Sequence, residues 1–386
     1  MVADNAFDQI EHAVASGGAA PALDLLARKF LAEKRYPQLF ETRLMQKRLE
    51  LGLPLIQLGA IEDLPEPERG SYEDGVRQAA RETGALFLAD GDIQHAWPYF
   101  RAIGDRDTIA SAIENLEQPG EHSEALIDIA LGQRVHPRKG LELVIARHGL
   151  CRAITYFEQF PDLENREACL VLLIRTLHSE LIANLTHAIA SHEDQSPTAN
   201  SIPELIQGRE WLFGEFDAYV DTSHLINVIR FAVDLQDEDA IRLALELCDY
   251  GAHLSQQFRM LGEPPFEDIY RDHAVYLHAM LDEDLAFAIE HFRARIVGQE
   301  DPMRAIRSAQ VLVALLLRRE RYQDAIQVSL DHLSGVPSSQ LACPTLFQLC
   351  QLAGDSERLM KLAQEHGDLL SFAAGSIQSN GYCTPK

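Results

Sequence analysis

The sequence predicts an all-α protein, an α-α superhelix or solenoid built from antiparallel helical hairpins. Three observations predict it. Apolar residues recur at helical spacing along most of the chain, strand-like alternation is absent, and one turn pattern returns in later parts of the sequence. Composition agrees: 46% of the 386 residues are hydrophobic but only 7% are aromatic. Leu, Ala and Ile dominate, which favours helix over sheet. The length suits two compact domains or one elongated array.

The elements follow in order. Residues 5–51 read as three helices, with Phe7, Ile10 and Val14 on the first, Leu23, Leu26, Phe30 and Leu31 on the second, and Phe40, Leu44 and Leu51 on the third. A Pro, Gly and acid-rich break closes this N-terminal region at residue 70. Ser71 and Asp74 have the spacing of a capping box, which predicts a helix start at Ser71. Helices over 71–90, 92–103, 106–117, 121–134 and 138–148 follow, punctuated by Gly91, Gly104, Gly120 and Gly149. Ala168–Ile189 carries Leu172, Leu173, Leu177, Leu181 and Leu185 and predicts one long helix. It ends a first repeat region over 71–192. The polar, Pro-flanked stretch 193–203 predicts an exposed loop. A second repeat region over 204–378 holds helices such as Thr222–Leu235, Glu238–Asp249, Phe266–Met280, Asp284–Ile296, Met303–Glu320 and Gln340–Leu352. A flexible tail is expected over 379–386.

The repeated pattern is clearest over residues 82–100. Gly84 and Phe87 sit on one helix, and Ala96 and Phe100 on the next. Ala288 and Phe292 repeat the last two at the same spacing, and Ala325 follows a similar turn. A small residue at such a point lets two helices approach, and the aromatic fills the groove to the next pair. The pattern resembles the tetratricopeptide repeat, in which a small residue and an aromatic on the first helix precede an Ala and an aromatic on the second. A C-terminal unit with Leu312, Tyr322, Ala325 and Pro337 resembles it in part, but Val313 replaces the small residue and Ser329 the aromatic. The resemblance implies a superhelix whose concave groove receives a peptide or protein. It implies no chemistry, and the family's groove-lining carboxylate-binding residues have no matched positions here.

The formal net charge of -25 sets a broad negative field, which disfavours nucleic acid and anionic membrane surfaces as partners. None of the six cysteines forms a C-x-x-C pair; most lie in apolar helical settings and read as core, with Cys383 as a free thiol in the tail. No signal-peptide pattern opens the sequence, and the apolar run 311–317 is too short to span a bilayer, so the expected compartment is the cytoplasm.

Chemistry-bearing residues concentrate in the middle of the chain. His178, His224 and His273 lie on or at the start of apolar helices. Facing one another, they would bind zinc or iron with Glu180, Asp221 or Asp272 as carboxylate partners. No two of them share a helix at ligand spacing, and a hydrogen-bonded core histidine is the plainer reading of each. Arg175 and Arg230 interrupt apolar helices and need an acidic partner or a bound anion. Converging with His224, they would make a pocket for an anionic small ligand. Cys151, close to His148, has a nucleophile's neighbourhood only in sequence. Dinucleotide, P-loop and nucleophile-elbow motifs are absent, and no cofactor is predicted. The leading expectation is therefore a scaffold or adaptor that presents a groove to a protein or peptide. The alternative is a helical-scaffold enzyme or small-ligand-binding protein that uses the His-rich pocket, with zinc or iron as its metal.

Overall fold

The structure is a computed structural model that describes residues 6–57, 59–116, 124–160, 165–298 and 301–380. Among these residues there are twenty α-helices and no β-strand beyond one isolated bridge between Leu261 and Asp268. Helices pack mainly on their neighbours in sequence. The chain divides into two compact units, residues 1–149 with 160–166, and residues 150–159 with 167–386. Cys383 and the rest of 381–386 lie outside the described residues, as do Gly120 and the first residues of the helix expected from 121.

The first unit contains α1 (Ala6–Gly17), α2 (Ala19–Ala32), α3 (Tyr36–Glu50), α4 (Glu68–Ala89), α5 (Ile93–Ala102), α6 (Arg106–Glu114), α7 (Glu124–Ile127) and α8 (Pro137–His148). The hairpin α4–α5 shows how sequence dictates packing. Ala96 and Phe100 are buried, and a Cβ added to Gly84 would lie 2.6 Å from the Phe100 ring. Only a glycine admits that ring. Phe87 meets Tyr36 of α3 edge-on at 5.0 Å, and the Tyr36 hydroxyl donates to Asp90 at 2.8 Å. Arg43 of α3 forks onto Glu82 of α4 at 2.8 and 2.7 Å. These contacts fasten α3 to the hairpin.

Two expectations need correction here. Helix α4 begins at Glu68, so Ser71 lies inside the helix and caps nothing; its own amide donates to the Pro67 carbonyl. Pro67 supplies the start, since the missing N–H of a proline costs nothing at a helix N-terminus. The helix expected over 121–134 is likewise not uniform. After α7 the chain widens into a π-helical turn, Asp128–Gly132, closed by Gln133 N–H on the Asp128 carbonyl at 2.7 Å.

The second unit contains α9 (Leu150–Gln159), α10 (Arg166–Glu193, from its second residue), α11 (Ile202–Ile206), α12 (Thr222–Phe231), α13 (Glu238–His253), α14 (Ile269–Met280), α15 (Leu285–Val297), α16 (Pro302–Arg318), α17 (Tyr322–His332), α18 (Leu346–Leu352), α19 (Ser356–His366) and α20 (Leu369–Ser379). One core runs from α14 to α19. Tyr276, Ala288, Phe292, Leu312, Val313, Ala325, Leu349 and Leu359 all lie in it. Cys169, Cys248, Cys343 and Cys350 are buried and unbridged, which fits small apolar fillers, whereas Cys151 is exposed. Helix α10 is long and apolar enough to cross a membrane by length and composition, and 44% of its most apolar stretch is buried within the protein. After it, residues 194–201 carry no regular structure and are mostly exposed. Arg209 closes the segment by forking onto Glu193 at 2.6 and 3.1 Å.

Acid residues begin many of these helices. Asp92, Asp105, Asp221, Asp237, Asp268, Asp301, Asp355 and Asp368 each accept an amide from the first turn that follows. Part of the acid excess is thus used as caps, where a negative charge also meets the positive end of the helix dipole.

Candidate functional site

Most of the histidines and arginines singled out by the sequence have separate surroundings. On α10, Arg175 and Glu180 are exposed, while His178 is buried and its Nε2 lies 2.9 Å from Glu246 of α13. The Glu246 carboxylate also accepts the Ile202 amide at 2.9 Å, so one acid joins α10, α11 and α13. Burial opposes its ionisation, but His178 and the amide outweigh burial and hold the carboxyl below its ordinary value. Asp221 caps α12. It accepts the Ser223 hydroxyl at 2.6 Å and amide at 2.8 Å, and these bonds hold it low. His224 follows on the same turn, half-buried, with its amide 3.4 Å from the Asp221 carboxylate.

Asp272 does not serve His273. It is fully buried and accepts from His291 at 2.9 Å, from Arg295 at 2.5 Å and from the Asp268 amide at 2.9 Å. Burial pushes its carboxyl up, against the pull of His291 and Arg295. The group ties α14 to α15, with Arg295 Nε left without a hydrogen-bond partner among the described residues. Sequence reasoning missed it because His291 and Arg295 sit nineteen and twenty-three residues away. Among the described residues, no three His, Cys, Asp or Glu side chains gather as a metal site requires.

Two of the candidates from different helices do come together. Arg230, in the last turn of α12, and His273 of α14 line one cleft of about 480 Å³ in the second unit. Its wall is the segment 260–266, and its far side is α16 with Arg307 and Gln310. His273 is 2% exposed and stacks on Phe266 at 4.1 Å. Its Nδ1 lies 2.6 Å from the Ile269 carbonyl, which can only accept, so Nδ1 carries the proton and Nε2 is left as an acceptor. Burial pushes this imidazole down to about 4, with the Arg230 charge adding to the effect, so the ring is neutral near pH 7. Arg307 is paired with Glu263, whereas Arg230 is exposed and meets no carboxylate among the described residues. The 260–266 wall gave no motif in the sequence; its Gly-Glu-Pro-Pro run signals only a turn.

A second cleft, of about 680 Å³, belongs to the first unit. It lies between α2, α3, α4 and α5, and its walls are apolar: Leu26, Phe30, Phe40, Met45, Val76 and Tyr99. Phe40 and Tyr99 meet edge-on at 5.3 Å. Glu41 is the charged residue of the lining; burial, and after it this carboxylate, raise the Tyr99 phenol above its ordinary value. Thr42 is also in the lining, but its hydroxyl is already spent on the Gln38 carbonyl at 2.8 Å. Comparison of the chain with protein-family models, curated proteins and solved structures gives no match, so a functional reading rests on these two clefts.

Proposed function

We propose that the chain is a helical-repeat scaffold of the tetratricopeptide kind, and that the groove of the first unit holds an apolar-faced segment of a partner protein or peptide. The observation that carries this reading is the apolar groove between two successive hairpins, α2–α3 and α4–α5, the second of which buries Ala96 and Phe100 of the repeat pattern. A groove of aromatic and aliphatic side chains left open to water is stabilised by whatever apolar surface covers it. Recognition of this type uses apolar anchors spaced along a segment, with few polar contacts to fix register. Glu41 within the groove and the net charge of -25 favour a segment that also carries basic residues.

The test is selection from a random peptide library against the purified chain and against Met45→Glu, which places a charge in the groove wall. Peptides with apolar anchors and basic flanks should be enriched on the wild type and should lose binding to the variant. Enriched peptides that bind the variant equally well would place recognition elsewhere and remove the proposal. A small-ligand reading is favoured by a different observation, the convergence of Arg230 and His273 in the second unit.

A further inference from the structure

We propose that the second-unit cleft binds an N-acylated amino acid, with Arg230 taking the carboxylate, His273 Nε2 the amide N–H, and the 260–266 wall the apolar side chain. Each part of such a ligand meets a cleft group that has a donor or acceptor to spare. Arg230 is exposed with no carboxylate partner among the described residues, in a chain with 59 acidic and 34 basic side chains. The other arginine of the cleft, Arg307, is already neutralised by Glu263. Arg230 is thus a net positive charge beside apolar surface, the setting in which a charge-assisted bond to a carboxylate is strong.

Gln310 supplies a second donor. Its Oε1 accepts the Ala342 amide at 2.5 Å, which fixes the amide orientation and leaves the Nε2 donors without a protein acceptor among the described residues. The side chain is 9% exposed and lines the cleft. These donors stay open to the cleft, where an acceptor on a ligand can take them. His273 offers the opposite: its proton is committed to Ile269, so Nε2 accepts and cannot donate. A ligand that meets all three presents an acceptor with negative charge to Arg230 and Gln310, and a donor to His273. An acylated α-amino acid carries these groups on one carbon, with a side chain left for Met260, Pro264 and Phe266. The volume of about 480 Å³ falls within the range of small-molecule sites. The same atoms occur in a free acyl-amino acid and in the last residue of a peptide.

Calorimetric titration of the full chain tests the proposal with N-acetyl-leucine, N-acetyl-leucinamide and 4-methylpentanoate as probes. N-acetyl-leucine should bind. Removing the carboxylate charge, as in the amide, should weaken binding about tenfold or more. Removing the acetamido group with its N–H, as in 4-methylpentanoate, should also weaken it. Arg230→Gln, at an exposed position, should cost N-acetyl-leucine about tenfold while leaving the amide's affinity unchanged. Met45→Glu should leave all of these titrations unchanged, which separates this site from the groove of the first unit. A six-residue peptide ending in leucine distinguishes the source: binding at least as tight as N-acetyl-leucine assigns the site to a peptide C-terminus, and exclusion assigns it to a free acid. Absence of binding by N-acetyl-leucine at millimolar concentration, or equal binding by Arg230→Gln, would overturn the proposal.

Discussion

Glycines at helix crossings and one buried imidazole show how single residues constrain this fold. Gly84 leaves room for the Phe100 ring, and Gly251 of α13 does the same for Tyr270, where an added Cβ would lie 2.2 Å from the ring. Intrinsic helix propensity argues the other way, since Ala is favoured over Gly by about 1 kcal/mol in a helix interior. Overpacking at buried rings costs about 1–3 kcal/mol and should win. Gly84→Ala and Gly251→Ala are therefore expected to lower stability by roughly 1 kcal/mol or more in denaturant titrations. A gain in stability would show that the rings have room to move. Gly84 was legible because its spacing to an aromatic on the next helix is a recognisable pattern. Gly251 was not, because its ring partner belongs to a helix separated by a loop of irregular length. His273 gives a pH prediction. Its folded value of about 4 lies below the ordinary 6.5, so between these values the unfolded chain binds the extra proton. The neutral ring's contribution is complete above pH 6.5 and declines as the pH drops through the window towards 4. Wild type should lose about 2 kcal/mol between pH 7 and pH 5 beyond what His273→Asn loses. Parallel pH profiles of the two proteins would contradict that burial.

At the scale of elements, helix existence was legible and helix starts were less so. The three helices of residues 5–51 fall close to their expected places, although Phe7 and Val14 of the first are exposed and not core. Where a stripe runs past a cap, the two signals compete. Ser71 and Asp74 offered a capping box, but the chain was already helical from Glu68 behind Pro67. Farther on, α14 begins at Ile269 because Asp268 caps it, and the preceding Phe266 turns into the cleft instead of joining the helix. Aspartate caps should matter energetically. In α13, Asp237 accepts the Ala240 amide at 2.7 Å. Asp237→Ala should cost about 1 kcal/mol, and Asp237→Asn only a small fraction of that, in thermal or chemical unfolding. Equal losses would mean that charge, and not the hydrogen bond, is the source of the effect. Asp221 belongs to the same class. Its pairing with Ser223 and the His224 amide accounts for its place in the sequence without recourse to a ligand.

On the scale of the whole molecule, the all-α class was legible from periodicity, whereas the sites were not. Three histidines on three helices say nothing of which faces meet. The fold separates their tasks: His178 joins Glu246, His224 follows a cap, and His273 lines a cleft with Arg230. Convergence of Arg230 with His273, instead of with Arg175 and His224, depends on the irregular 260–266 segment, whose path no period encodes. The groove of the first unit is equally a product of tertiary packing, because its walls come from four helices whose apolar residues each read as core. The net charge acts over all of this. A basic segment approaching the groove should be drawn in faster at low ionic strength and more slowly as salt screens the field. The central claim, that the groove between α2–α3 and α4–α5 is where a partner segment lies, is tested most directly by hydrogen exchange of the chain with and without a selected apolar–basic peptide. Slowed exchange is expected in residues 26–45 and 76–102 of the wild type, and none of it in Met45→Glu. Protection confined to other helices, or protection of the groove that survives Met45→Glu, would contradict it.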